Sequence, residues 1–239
     1  MKHQLSQMMF RRYQDIQPVL PPYNPEANFE WIRTQSGLPW LQLDLAIPYE
    51  TILDEICNIQ SLLIAHRDNY GEHEGWRSFC LHGKSYDSTR ESDYYNDDRP
   101  YVWTPEAQDL MPKTVNYFSK HWPATQFQRV RVMLLEPGGY ITVHSDSVRP
   151  GLSPINIAIT QPQDCNFLME RHGIVPFSAG QAFWLDVSNR HAVFNNSTKP
   201  RWHIIVHQNL DNIEFQKLVV KSYKRLYNKS NENSQNSNT

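Results

Sequence analysis

The sequence predicts a mainly β fold of sandwich or jelly-roll type, with helices flanking the sheet. Two observations after Gln126 predict it. Short apolar runs recur at close spacing (127–135, 140–144, 155–160, 166–170, 181–185, 191–195 and 202–208), separated by turns rich in proline, glycine and asparagine. Within two of these runs the residues alternate. Ile155, Ile157 and Ile159 share one face while Asn156, Ala158 and Thr160 share the other, and Trp202, Ile204 and Val206 oppose Arg201, His203 and His207. One face then buries core, and the other can line a polar cavity. A third observation, the helical spacing before Gln126, supplies the flanking helices.

Taken in order, residues 1–13 are polar and basic and specify no element. Residues 18–48 hold Pro21, Pro22, Pro25, Pro39, Tyr23, Phe29, Trp31 and Trp40, which suits an irregular arm on the surface or a pocket rim. From 49 to 66, Ile52, Leu53, Ile56, Ile59 and Leu63 recur at helical spacing. Residues 75–81 read as a strand, and the polar stretch 82–99 as a long loop that is a candidate lid. Thr104-Pro105 offers an N-cap followed by proline at the first helical position. Glu136-Pro137-Gly138-Gly139 reads as a turn between two strands. Residues 213–227 look like an amphipathic helix, and the polar, low-complexity residues 228–239 are expected to be disordered. The expectation is one domain over 1–227, with a mixed helical and irregular part (1–125), a jelly-roll core (126–210) and a C-terminal helix (211–227).

The 239 residues, 39% of them hydrophobic, can bury a substantial core. A formal net charge of -2 gives no support for nucleic-acid or anionic-membrane partners, and favours small or neutral ones. Cys57, Cys80 and Cys165 are odd in number and far apart, which argues against a disulfide framework. No stretch reaches the roughly 18 apolar residues of a membrane span, and the N-terminus lacks a signal-peptide core. A cytoplasmic protein is expected.

The chemistry concentrates in His144-Ser145-Asp146, His191 and Arg201. A His-x-Asp pair alone is weak, since ten histidines and thirteen aspartates produce about half a pair by chance. His66-Arg67-Asp68 has the same spacing but ends a helix-like run, where residues two apart point in different directions, and reads as a solvated helix end. On a strand, period two aims His144 and Asp146 to one side. Two histidines and one carboxylate hold Fe(II) and leave three coordination positions open for co-substrate and oxygen. An arginine then supplies a fork that grips a carboxylate.

The run from Arg129 to Gln208 resembles the aspartyl/asparaginyl beta-hydroxylase branch of the Fe(II)/2-oxoglutarate-dependent oxygenases, which includes free-proline hydroxylases. The residues that carry the likeness are Glu136-Pro137-Gly138-Gly139, the strand ending in His144-Ser145-Asp146, Gly180-Gln181-Ala182-Phe183-Trp184, His191, and Arg201 ten residues later; Gly75-Trp76-Arg77-Ser78 is similar to an upstream strand of the family. The resemblance implies a cupin-like double-stranded beta-helix, with His144, Asp146 and His191 as iron ligands and Arg201 on the distal carboxylate of 2-oxoglutarate. It also implies O2 as co-substrate, and places Asn156 where the family has a polar co-substrate contact. The expected activity is hydroxylation of an amino acid or an amino-acid residue of a peptide.

Two other readings stay open: a cupin-like metal enzyme that does not use 2-oxoglutarate, and a noncatalytic ligand-binding barrel. Family enzymes acting on acidic side chains carry an arginine on the strand after the His-x-Asp pair. Here that strand runs Ser153-Pro154-Ile155-Asn156 without one, which argues against an Asp-directed role. Arg77, Arg129, Arg131 and Arg149 are alternatives for a substrate carboxylate, though solvation or structural pairing is the commoner fate of such residues. Trp76 and Trp184 are expected in the core.

Overall fold

One long strand organises the molecule. The computed structural model describes residues 2–66, 73–88 and 98–236, with side chains as far as residue 228. In chain order its elements are α1 (Lys2–Tyr13), α2 (Phe29–Thr34), β1 (Trp40–Leu43), α3 (Tyr49–Ile56), a 3-10 segment (Cys57–Leu62), β2 (Ile64–Ala65), β3 (His73–Gly83), β4 (Val102–Trp103), α4 (Pro105–Leu110) and α5 (Pro112–Lys120). The second half holds β5 (Phe127–His144), β6 (Ile155–Ala158), β7 (Cys165–Met169), β8 (Gly173–Ile174), β9 (Ala182–Leu185), β10 (His191–Asn195), β11 (Arg201–Gln208) and α6 (Ile213–Asn236).

The strands form one antiparallel sheet in the order β1-β9-β6-β11-β5-β10-β7-β8, with β3 alongside β5 and β2 and β4 on β3. The first part of β5 pairs with β11 and its last part with β10, so the sheet folds over on itself at that strand. This is the curled jelly roll expected from the sequence. Residues 136–139 are not the turn expected between two strands. They are an extended bulge within β5, because β3 steps from Trp76 to Glu74 while β5 runs from Leu135 to Tyr140. Glycine permits this: Gly138 has φ +76°, and a Cβ on Gly139 would stand 2.8 Å from the Glu74 carbonyl oxygen.

The alternation read in the sequence sorts the two faces. Ile155, Ile157, Ile159, Trp202, Ile204 and Val206 belong to the large core beneath the helices, together with Trp184. Leu135, Ile141, Ala158, Phe167, Phe177, Phe183 and Val193 form a second core inside the fold, with Trp76 packed against it. Thr104 caps α4 by accepting from the Ala107 N–H, and proline follows at the first helical position, as expected.

The N-terminal third departs from expectation. The supposed irregular arm contains α2 and β1, and β1 is an edge strand of the main sheet with Leu41 opposite Trp184. Its four residues alternate, burying Leu41 and Leu43 in the large core, a signal masked by the surrounding prolines. The helical run 49–66 breaks after Ile56 into the 3-10 segment and then β2. His66 is therefore no solvated helix end: it is buried, its N–H donates to the Trp76 carbonyl, and its Nδ1 lies 3.0 Å from Ser78 Oγ. Arg67 and Asp68 lie outside the described residues, as does 89–97 of the lid candidate. Residues 82 and 83 belong to β3 rather than to that loop. Helix α1, for which the sequence offered no element, covers Val143, Leu168, Ala192 and Phe194. The backbone of α6 continues past Tyr227 to Asn236, through residues expected to be disordered.

Candidate metal centre

His144 ends β5 and His191 opens β10, and the two are Cα partners across the pairing. A bulge brings them together. Ile141 is opposite Val193 and His144 opposite His191, so two residues of β5, Thr142 and Val143, face the single residue Ala192. Strict alternation would turn His144 to the face opposite Ile141. The extra residue sends Val143 outward beneath α1 and aims His144 inward.

Each ring is oriented by a backbone carbonyl, which can only accept. His144 Nδ1 donates to Thr142 O at 2.7 Å and His191 Nδ1 to Asn189 O at 2.9 Å, which fixes the tautomer whose Nε2 carries the lone pair toward Asp146. Burial, and then the neighbouring His191, push the His144 pKa down to about 4, which keeps it unprotonated. The His191 ring stacks on Phe167 at 5.2 Å with 9° between planes. Asp146 lies just beyond β5, where its N–H donates to Val187 O at 3.0 Å. Its two carboxylate oxygens stand 3.6 Å from His144 Nε2 and 3.6 Å from His191 Nε2.

Donor atoms from the three side chains all lie within 4.8 Å of one another. The 3.6 Å separations are too long for hydrogen bonds yet short enough for all three to ligate one ion at the roughly 2.0–2.2 Å of metal–ligand bonds. Two imidazoles and a carboxylate are the donor set suited to non-haem Fe(II).

Arg201, at the start of β11 opposite Leu135, is buried on the interior face. Burial draws its pKa down to about 10, and it still carries its charge at neutral pH. Its Nη2 donates to His203 Nδ1 at 3.0 Å, its guanidinium carbon lies 5.7 Å from the Phe177 ring centroid, and its Nε has no hydrogen-bond partner. Among the described residues no carboxylate pairs with it. A buried cation so placed favours an anionic ligand. Phe177 packs on Phe167 at 6.0 Å and Phe167 on His191, so two rings join the guanidinium to the histidine pair. Asn156 is buried with Cα partners Ile205 and Phe183, on the face it shares with interior Ala158.

The other arginines diverge. Arg77 is taken up by Glu136 at 2.7 Å, Arg131 is buried, and Arg149 is exposed on the segment after Asp146. Sequence reasoning missed the orienting carbonyls of Thr142 and Asn189 and the Phe167 and Phe177 walls, none of which leaves a local signal. It did place His203 on one cavity-lining strand face with Arg201, where the structure shows the two hydrogen-bonded.

Residues 48–209 match the family model described as Aspartyl/Asparaginyl beta-hydroxylase. No protein of curated function matches the chain in sequence. Among solved structures, an oxidoreductase of the 2OG-Fe(II) oxygenase family from Burkholderia pseudomallei is 11% identical with TM-score 0.46, over 81% of this chain and 95% of that one. A Pseudomonas putida prolyl-4-hydroxylase is 13% identical with TM-score 0.42, over 76% and 97%. A viral collagen prolyl hydroxylase from Paramecium Bursaria Chlorella virus-1, in complex with 2OG, is 12% identical with TM-score 0.42, over 72% and 96%. These three are distant likenesses.

Proposed function

We propose, from the premise that the chain belongs to the aspartyl/asparaginyl beta-hydroxylase family and is an Fe(II)- and 2-oxoglutarate-dependent dioxygenase, that it hydroxylates an amino acid or an amino-acid residue of a peptide. The observation that carries this reading is the buried Arg201, whose Nε lacks a partner, joined through Phe177 and Phe167 to the His144–Asp146–His191 cluster.

In this reading the Nε2 atoms of His144 and His191 and the Asp146 carboxylate hold iron, with the imidazoles fixed by the Thr142 and Asn189 carbonyls. Bound together, iron, 2-oxoglutarate and O2 would supply the oxidising chemistry: one oxygen atom would enter a C–H bond of the substrate as hydroxyl, and the other would enter the succinate formed as 2-oxoglutarate loses carbon dioxide. Arg201 grips the distal carboxylate, where charge and fork geometry both select a dicarboxylate. Asn156 gives a polar contact to the co-substrate from β6. Phe167 and Phe177 wall the interior and exclude water from it. No side chain is needed as a nucleophile.

The lack of an arginine in 153–156 and the engagement of Arg77 by Glu136 argue against an acidic substrate side chain. Cytoplasmic residence agrees with the free thiols of Cys57, Cys80 and Cys165. No helix among the described residues is long and apolar enough to cross a membrane.

The test is anaerobic titration of Fe(II)-loaded protein with 2-oxoglutarate, following the visible charge-transfer absorption, with Arg201→Ala alongside. A band in the parent that weakens in the variant supports the reading. Iron binding without a band would turn the assignment to a cupin-like enzyme that does not use 2-oxoglutarate, and failure to bind iron to a noncatalytic barrel.

A further inference from the structure

We propose that His203 and Gln161 form a relay that positions Arg201 for the co-substrate carboxylate, so that 2-oxoglutarate affinity depends on a hydrogen-bond chain ending in the backbone of Cys165. This rests on the reading of Arg201 given above. The direction of every bond in the chain follows from the one before it. A guanidinium only donates, so Arg201 Nη2, 3.0 Å from His203 Nδ1, makes that nitrogen an acceptor. The imidazole proton must then reside on Nε2, which lies 3.1 Å from Gln161 Oε1 and donates to it. With its oxygen so committed, Gln161 presents Nε2 to the Cys165 carbonyl oxygen, and donates there. The chain thus ties β11 to the first residue of β7.

Packing holds the same geometry. Phe177 meets the His203 ring edge-on, with centroids 4.7 Å apart and planes at 82°, and lies under the Arg201 guanidinium. Burial, followed by the charge of Arg201, holds the His203 pKa well below its ordinary value, so Nδ1 keeps its lone pair. One nitrogen of the fork is held by protein, and Nε, without a partner, is left for the ligand. His203 acts through Arg201 and is a positioning residue.

The test is calorimetric titration of Mn(II)-loaded protein with 2-oxoglutarate, for the parent, Arg201→Ala, His203→Phe, His203→Asn and Gln161→Leu, with Mn(II) affinity measured in each. His203→Phe keeps the ring and removes the acceptor, and is expected to weaken 2-oxoglutarate roughly tenfold with Mn(II) affinity unchanged. His203→Asn restores an oxygen near the Nδ1 position, and is expected to stay within about threefold of the parent. Should His203→Phe not fold, Gln161→Leu carries the test, since freeing the far end of the ring is expected to cost about threefold. Parent-like affinity in His203→Phe or, in its place, Gln161→Leu, or an Asn variant as weak as the Phe variant, overturns the relay while a weakened Arg201→Ala leaves the anchor standing. Parent-like affinity in Arg201→Ala removes the anchor itself, and the relay with it.

Discussion

His144 and His191 stand directly opposite each other across the β5–β10 pairing, with ring centroids 4.4 Å apart and planes tilted by 56°. Two imidazoles so close would repel if both were charged, and each instead donates its Nδ1 proton to a carbonyl and turns Nε2 toward Asp146. The pair is thereby built to receive a cation.

Replacing His144 by alanine is expected to lower Mn(II) or Fe(II) affinity by more than about a hundredfold, since ligand-orienting partners alone are worth 10- to 100-fold. The far-ultraviolet circular dichroism spectrum should be unchanged, because the side chain is at the end of a strand and half-buried. Parent-like metal affinity would remove His144 from the centre.

Arg201→Lys keeps the charge but loses the planar fork and the guanidinium stacked over Phe177. We expect 2-oxoglutarate to bind roughly tenfold more weakly, with metal affinity preserved. Equal binding by lysine would mean that charge alone, and not direction, holds the ligand.

Burial lowers the pKa values of His82 and His144 from 6.5 to about 4. Between those pH values the unfolded chain takes up protons that the folded protein refuses, so stability falls as pH falls. Each group contributes up to about 1.4 kcal/mol per pH unit in that window. In metal-free protein, urea unfolding at pH 7, 6 and 5 should show this decline, and His82→Phe should make it shallower. A parent-like slope in that variant would clear His82 of the effect.

Gly139→Ala is expected to destabilise the protein by roughly 2 kcal/mol, an overpacking cost. The new methyl would meet the Glu74 and Glu136 carbonyl oxygens at 2.8 and 2.9 Å, both backbone atoms that cannot swing aside. A midpoint in urea equal to that of the parent would show that the β5 bend relaxes freely.

The jelly roll was legible because its strands alternate so consistently: Ile155, Ile157 and Ile159 go to one core and Ala158 to the other. Strand placement also put His144 and Asp146 on one side, and the structure brings them within reach of His191; the helix-end reading that set His66 aside did not hold, since His66 follows β2 and is buried. What escaped were features that local patterns do not encode. Helix α1 buries little beyond Ser6 and Met9, a stripe too narrow to show as amphipathic periodicity. Leu41 and Leu43 of β1 take their meaning from β9, some 140 residues later in the chain. The interior place of His66 depends on Ser78 and Trp76, which only the β2–β3 pairing brings near.

The bulge at Thr142 and Val143 has a consequence for the length of the chain. Deleting one of these two residues would give β5 an uninterrupted alternation and a more regular ladder against β10. His144 would then follow Ile141 by two residues, share its interior face and stay opposite His191. What the bulge does is absorb one surplus residue: a chain one residue shorter at this point would present the same ligand pair from a flat ladder, whereas the present chain without its bulge would turn His144 to the outer side of the sheet.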